Sequence, residues 1–300
     1  MNQNTSVRLA APAKINLYLH IIGRRPDGYH RLDSLMAFAA VFDTVVVTPA
    51  DTLSLTVEGP RADALDGLDP EDNLMLRAAR ALADVAGIET GAHLTLIKRL
   101  PTAGGIGGGS ADAAAVLRGL YRLWNLDLDD GAMLDLALTL GADVPICLYG
   151  RAANVSGIGE VLTPAPALPP VPMLLVNPGV PVPTKEVFGL RNGPYSGPAP
   201  LHDAPVNALA LANDLAGRRN DLETAARTVA DEVSEALERL TDQAGALLTR
   251  MSGSGGTCFA LFGGEDEAET ARQIIAEARP DWWIERTRLI TDARALDAEA

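Results

Sequence analysis

Residues 101–115 read Pro-Thr-Ala-Gly-Gly-Ile-Gly-Gly-Gly-Ser-Ala-Asp-Ala-Ala-Ala, and no other stretch limits the chain's fold so sharply. Gly104, Gly105, Gly107, Gly108 and Gly109 leave a loop with almost no side chains. A helix-forming run follows at once, with Ser110 expected as its N-cap. Glycines admit dihedrals that turn successive N–H groups the same way, into an anion-binding nest. The helix start adds free N–H groups and partial positive charge, which together suit a di- or triphosphate. The bland alternative is a linker or tight turn, yet ordering so many glycines costs much chain entropy. A Walker A loop is excluded, because no Gly-Lys occurs in the chain. The Rossmann fingerprint fails as well: counting from Gly105 and Gly107, the third glycine position holds Ser110.

A chain of 300 residues suggests one large or two medium domains with a real core. Apolar residues make up 47%, but no run is long enough to span a bilayer, so a soluble protein is expected. The first ten residues lack a basic-then-apolar leader pattern. Cys147 and Cys258 lie in separate apolar runs without zinc spacing, which suits buried thiols in a reducing cytoplasm. The net charge of −14 argues against nucleic-acid or membrane-surface partners. A polyanionic small molecule would then need a few placed cations, the loop dipoles and a metal ion.

Strands are expected at 14–22, 34–40, 43–49, 52–58, 93–97, 144–149, 173–177 and 283–290. Helices are expected at 73–87, after the glycine loop, and at 130–140, 220–230, 231–240 and 265–278. In the helix after the loop, Ala113, Leu117, Leu120, Tyr121 and Trp124 share one face, a core stripe. The Pro-rich stretch 164–172 is the best linker candidate, and 192–206 reads as an exposed loop. A second glycine turn follows Met251. Strands and helices mix without strict alternation, so the expected class is α+β in two domains, 1–165 and 166–300.

Lys14 sits early on a strand, where lysine is uncommon unless paired or functional; an edge-strand charge is the alternative. Asn16, two residues on, faces the same side. Asp143, in Gly-Ala-Asp-Val-Pro, lies between a helix end and an apolar run. It is either a turn aspartate or a carboxylate able to take a proton from an attacking hydroxyl. Tyr29 and His30 follow a turn and could stack on a flat heteroaromatic ring, or simply close a surface hairpin. His20, His93 and His202 lack ligand spacing. Asp112 could complement the helix dipole or serve a Mg²⁺ ion.

Taken together, these segments resemble the GHMP kinases. The glycine loop carries the likeness, with Ala11-Pro-Ala-Lys-Ile-Asn-Leu, Gly28-Tyr-His, Gly141-Ala-Asp-Val-Pro and Met251-Ser-Gly-Ser-Gly in matching order. The nearest branch phosphorylates the 2-hydroxyl of a cytidine-diphosphate-linked methylerythritol. The resemblance implies a two-domain fold with the active site in the cleft between domains, and ATP and Mg²⁺ as cofactors. It implies Asp143 as catalytic base with Lys14 as electrostatic partner. It assigns ATP to Lys98, Pro101, Gly104, Gly105, Ile106, Gly107, Gly108, Gly109, Ser110 and Ala111. It assigns the acceptor to Asn16, Tyr29, His30, Thr184 and Phe188. Metal ligands and oligomeric state stay open. The chain departs from the family at Ala111, where a second serine is usual, and at Met36, where some relatives carry an aromatic ring. Another small-molecule kinase of the group and a non-catalytic nucleotide-binding regulator are the competing readings.

Overall fold

A computed structural model describes residues 6–102 and 104–300. The leader-free reading of the first residues and the Ala103 position of the glycine loop fall, in part or whole, outside the described residues. The long antiparallel pair β1 (Val7–Arg24) and β2 (His30–Ala50) is the backbone of the sheet. The expected breaks at 41–42 do not occur, and β2 runs through them. Within it, the Asp43 carboxylate accepts from the N–H groups of Arg99 and Leu100.

One edge of β2 takes β1. The other is shared by three strands: β5 (Ala153–Gly157) beside Leu32–Met36, β10 (Trp283–Ile290) at Phe38 and Ala39, and β4 (Gly91–Ile97) beside Thr44–Ala50. β3 (Ser54–Glu58) pairs with β4, and β6 (Val161–Pro164) with β5. From β10 the sheet continues through β7 (Val171–Asn177) and β9 (Cys258–Phe262) to β8 (Ala246–Met251). Within the proline-rich 164–172 stretch, residues 165–170 join β6 to β7.

Helices α1 (Leu74–Ala86), α2 (Gly108–Leu123), α3 (Asp130–Leu140) and α4 (Val144–Tyr149) build the first core against β1, β2 and β4. Asn73 caps α1 by accepting from the N–H of Met75 at 3.0 Å, and a left-handed Gly87 ends it. A second core lies beneath α7 (Glu223–Val229), α8 (Asp231–Thr241) and α9 (Glu265–Ala278). Cys147 belongs to the first core and Cys258 to the second, so the two thiols do not meet. The sequence reading gave no element for α5 (Thr184–Leu190) or α6 (Ala208–Ala216). The chain end returns to the first half: Asp297 accepts from the N–H of Ala10 and pairs with Arg118 at 3.1 Å.

Two expectations are corrected. Residues 144–149 form a helix, not a strand: Asp143 precedes it, Pro145 suits its first turn, and left-handed Gly150 stops it. An apolar run this short has no distinguishing period, so flanking residues decide it. The cap of α2 is left-handed Gly107 (φ 65°), which leaves Ser110 inside the first turn. With no side-chain cap, the first amides of α2 stay free for a ligand.

The two glycine turns lie backbone against backbone. A side chain on Gly105 (φ +70°) would stand 2.4 Å from the Ser252 carbonyl oxygen, and one on Gly253 (φ +57°) 2.6 Å from that of Gly105. Gly105→Ala is therefore expected to lower stability by about 2 kcal/mol or more, read as an earlier thermal unfolding midpoint. An unchanged midpoint would show that the turns separate freely.

Candidate active site

The cleft between the two halves has a volume of about 1030 Å³. Its floor is built by β1. Lys14 is nearly fully buried, and its Nζ donates to Asn16 Oδ1 at 2.8 Å and pairs with Asp143 Oδ2 at 3.1 Å. Asn16 in turn donates to Ser34 Oγ at 2.9 Å, which fixes its amide. The Asp143 side chain is 39% exposed, so its carboxylate faces the open cleft while Lys14 sits behind it. Lys14 and Asp143, separate candidates in the sequence, are thus one ion pair.

The glycine loop is tied to this floor. The Lys14 N–H donates to the Ile106 carbonyl at 2.8 Å. The Thr257 N–H donates to the Gly104 carbonyl at 2.9 Å, and Ser252 Oγ donates to that of Gly105 at 3.1 Å. Ser252 Oγ also accepts the N–H of Asn16 at 3.1 Å. Gly104, Gly105, Gly107, Gly108, Gly109 and Ser110 all line the cleft, with free α2 amides among them.

Four expected nucleotide residues are not on the cleft wall. Pro101, Ile106 and Ala111 are buried behind the loop as packing. Lys98 is 2% exposed beneath α2, its Nζ 2.5 Å from Asp43 and 3.1 Å from Asp112. Asp112 likewise turns inward instead of toward a cleft-bound metal ion. Because α2 starts at Gly108, Asp112 falls just past the first turn, on the buried face of the helix.

At the far end, the ring centroids of His30 and Phe188 lie 5.2 Å apart at 31°, and Tyr29 stands 62% exposed beside them. The β1–β2 turn supplies Tyr29 and His30, and α5 supplies Phe188. Thr184 Oγ1 and Ser254 Oγ lie 2.8 Å apart, which links α5 to the second glycine turn. Met36 also lines the cleft. Sequence reasoning missed Arg24, Lys185 and Arg191, which line it too. Arg191 Nε is buried and has no partner among the described residues. The signal was thin: only adjacency to the Gly28-Tyr-His and Thr184–Phe188 segments pointed to them. Burial, then the charges of Arg24 and Arg191, hold the His30 imidazole below its ordinary value.

The cleft thus presents an amide-lined loop for phosphates, a lysine–aspartate pair for a hydroxyl, and an aromatic slot flanked by cations. Among the described residues no cluster of three or more His, Cys, Asp or Glu could hold a metal ion. No helix among them is long and apolar enough to cross a membrane.

The profile of the GHMP kinases N terminal domain matches residues 73–151, and that of the GHMP kinases C terminal domain residues 202–281. A 4-diphosphocytidyl-2-C-methyl-D-erythritol kinase of Rhodospirillum rubrum is 51% identical over 293 residues, covering 98% of this chain and 96% of the relative. Another, from Paramagnetospirillum magneticum, is 50% identical over 96% of this chain and 100% of its own length. A crystal structure of a 4-(cytidine 5'-diphospho)-2C-methyl-D-erythritol kinase superposes with a TM-score of 0.76 at 37% identity, over 94% of this chain and 99% of that one. A homoserine kinase from Cytophaga hutchinsonii shares the fold, with a TM-score of 0.68 at 19% identity over 96% of each chain.

Removing a neighbouring cation should raise the His30 midpoint. In a proton NMR titration of the free protein, the His30 midpoint of Arg191→Ala is expected above that of the parent chain. An unmoved midpoint would place Arg191 too far from the slot to act on it.

Proposed function

This chain belongs to the GHMP kinases and, within them, to the 4-diphosphocytidyl-2-C-methyl-D-erythritol kinase family, and on that basis we propose how its own residues carry the reaction. It transfers the γ-phosphoryl group of ATP to the 2-hydroxyl of 4-diphosphocytidyl-2-C-methyl-D-erythritol, giving the 2-phosphate and ADP. This is a step toward isoprenoid precursors. The observation that carries the reading is one cleft shared by the loop amides, the Lys14–Asp143 pair and the Tyr29–His30–Phe188 slot.

The amides of Gly107–Ser110 and the α2 dipole hold the β- and γ-phosphates. The acceptor hydroxyl lies against Asp143, which orients it and receives its proton as the new O–P bond forms and the bond to ADP breaks. Lys14 pairs with the carboxylate at 3.1 Å and polarises the hydroxyl, with Asn16 fixing the direction of its ammonium. Most of the rate comes from position and charge, because a loose phosphoryl-transfer state asks little covalent help of the protein. The cytosine stacks in the Tyr29–Phe188 slot, and neutral His30 offers it a hydrogen bond. Thr184 steadies that wall through Ser254. Arg24, Lys185 and Arg191 face the diphosphate, the buried Arg191 N–H supplying an unused donor.

Magnesium would come with ATP: no metal-binding cluster occurs among the described residues, so phosphate oxygens and water would hold the ion, and it would neutralise charge on the transferred group. Two unpaired buried thiols and a net charge of −14 support work in the cytoplasm without nucleic-acid partners. The chain divides into domains 1–165 and 166–300, and the C-terminal segment packs back on the first through Asp297.

ADP release with MgATP and the cytidylated acceptor should be fast, and it should nearly vanish with the acceptor lacking cytidine. Asp143→Asn is expected to lower kcat by about 10²- to 10⁴-fold while nucleotide binding persists. Retained ATP binding without turnover would reject this acceptor. Full activity of Asp143→Asn would reject the assigned base.

A further inference from the structure

The mechanism above uses neither Lys98 nor its two carboxylates, yet they form the most buried ionic cluster next to the phosphate loop. Lys98 Nζ lies 2.5 Å from Asp43 Oδ2 and 3.1 Å from Asp112 Oδ2, and all three side chains are 4% exposed or less. The cluster is directly under the loop: a side chain on Gly108, which lines the cleft, would come within 3.3 Å of Lys98 Nζ. With both carboxylates ionised, the trio carries one net negative charge where a triphosphate must bind. With one protonated, it is neutral.

Geometry decides which one holds the proton. Asp43 accepts from Lys98, from the Arg99 N–H at 2.5 Å and from the Leu100 N–H at 2.8 Å, so both of its oxygens have partners. Asp112 has only the longer Lys98 contact on Oδ2, and its Oδ1 is buried with no partner among the described residues. An unpartnered carboxylate oxygen in the core is costly, and protonation lowers that cost.

We infer that Asp112 is a proton-linked positioning residue for nucleotide binding, neutral when the loop holds a triphosphate and weakening that hold when it ionises. This rests on the ATP site proposed above. Burial, opposed by Lys98 and reinforced by Asp43, pushes the Asp112 carboxyl up to about 8, so the proton is exchangeable in an accessible range. Other groups near Asp112 do not compete for it. The Cys147 thiol of α4 is pushed far up by burial and stays protonated. Lys14 of β1 is engaged with Asp143 on the cleft side of Gly107. Arg118, further along α2, is committed to Asp297 and the Ala10 carbonyl.

By linkage, a bound triphosphate raises the Asp112 midpoint, and binding takes up a proton. A rise of one unit makes MgATP affinity about fivefold weaker at pH 9 than at pH 7. The test is calorimetric titration of the full chain with MgATP, without acceptor, from pH 7 to 9 and in buffers of different ionisation enthalpy. The parent chain is expected to lose affinity with pH and to absorb a fraction of a proton at pH 8. Asp112→Asn, which keeps shape and loses the charge, should bind with little pH dependence and no such uptake, and adenosine should be pH-independent in both. Equal pH profiles for parent and variant would overturn the inference alone. Absence of MgATP binding at every pH would overturn the ATP site and the inference with it. If Asp112→Asn does not fold, carboxyl-carbon NMR of the parent chain decides. One aspartate titrating near 8 and moving up with tripolyphosphate supports the inference, and its absence refutes it.

Discussion

The site depends on a backbone contact. Gly105 and Gly253 meet so closely that neither has room for a side chain, and Ser252 bonds both to the Gly105 carbonyl and to the Asn16 N–H. That one serine joins the phosphate loop, the second glycine turn and the strand carrying Lys14. The proposed donor and acceptor pockets are therefore tied together by hydrogen bonds within the protein itself. Phosphoryl transfer draws its rate from such placement.

Charge is handled locally. The chain carries fourteen net negative charges, yet its cleft is lined by Lys14, Arg24, Lys185 and Arg191 against only Asp27 and Asp143. The amides of α2 add positive potential without a side chain. A buried trio lies beneath them, and its net charge depends on a single proton. The surface can thus remain anionic and soluble-looking in composition while the cleft attracts two polyanionic substrates.

The glycine loop, the α+β class and most helices were legible in the sequence, because glycine patterns and helical periodicity act locally; Lys14 and Asp143 were separate candidates there, and only the family resemblance paired them. The 144–149 helix was not legible, because six apolar residues in a row carry no period. The partner of Asp43 lies 55 residues away, at Lys98, and no local pattern encodes that. The family resemblance set Lys98 beside the nucleotide, whereas the fold turns its side chain under α2, toward Asp43 and Asp112. Arg24, Lys185 and Arg191 reach the cleft only through the fold.

The most direct test of this account is the kinetics of Ser252→Ala. Removing the hydroxyl leaves both substrate pockets intact but unties the loop from the floor that carries Lys14 and Asp143. The expected result is a kcat lower by about tenfold or more, with MgATP and acceptor still bound by a folded protein. An unchanged kcat in a folded Ser252→Ala protein would contradict the claim that this tie sets the catalytic geometry.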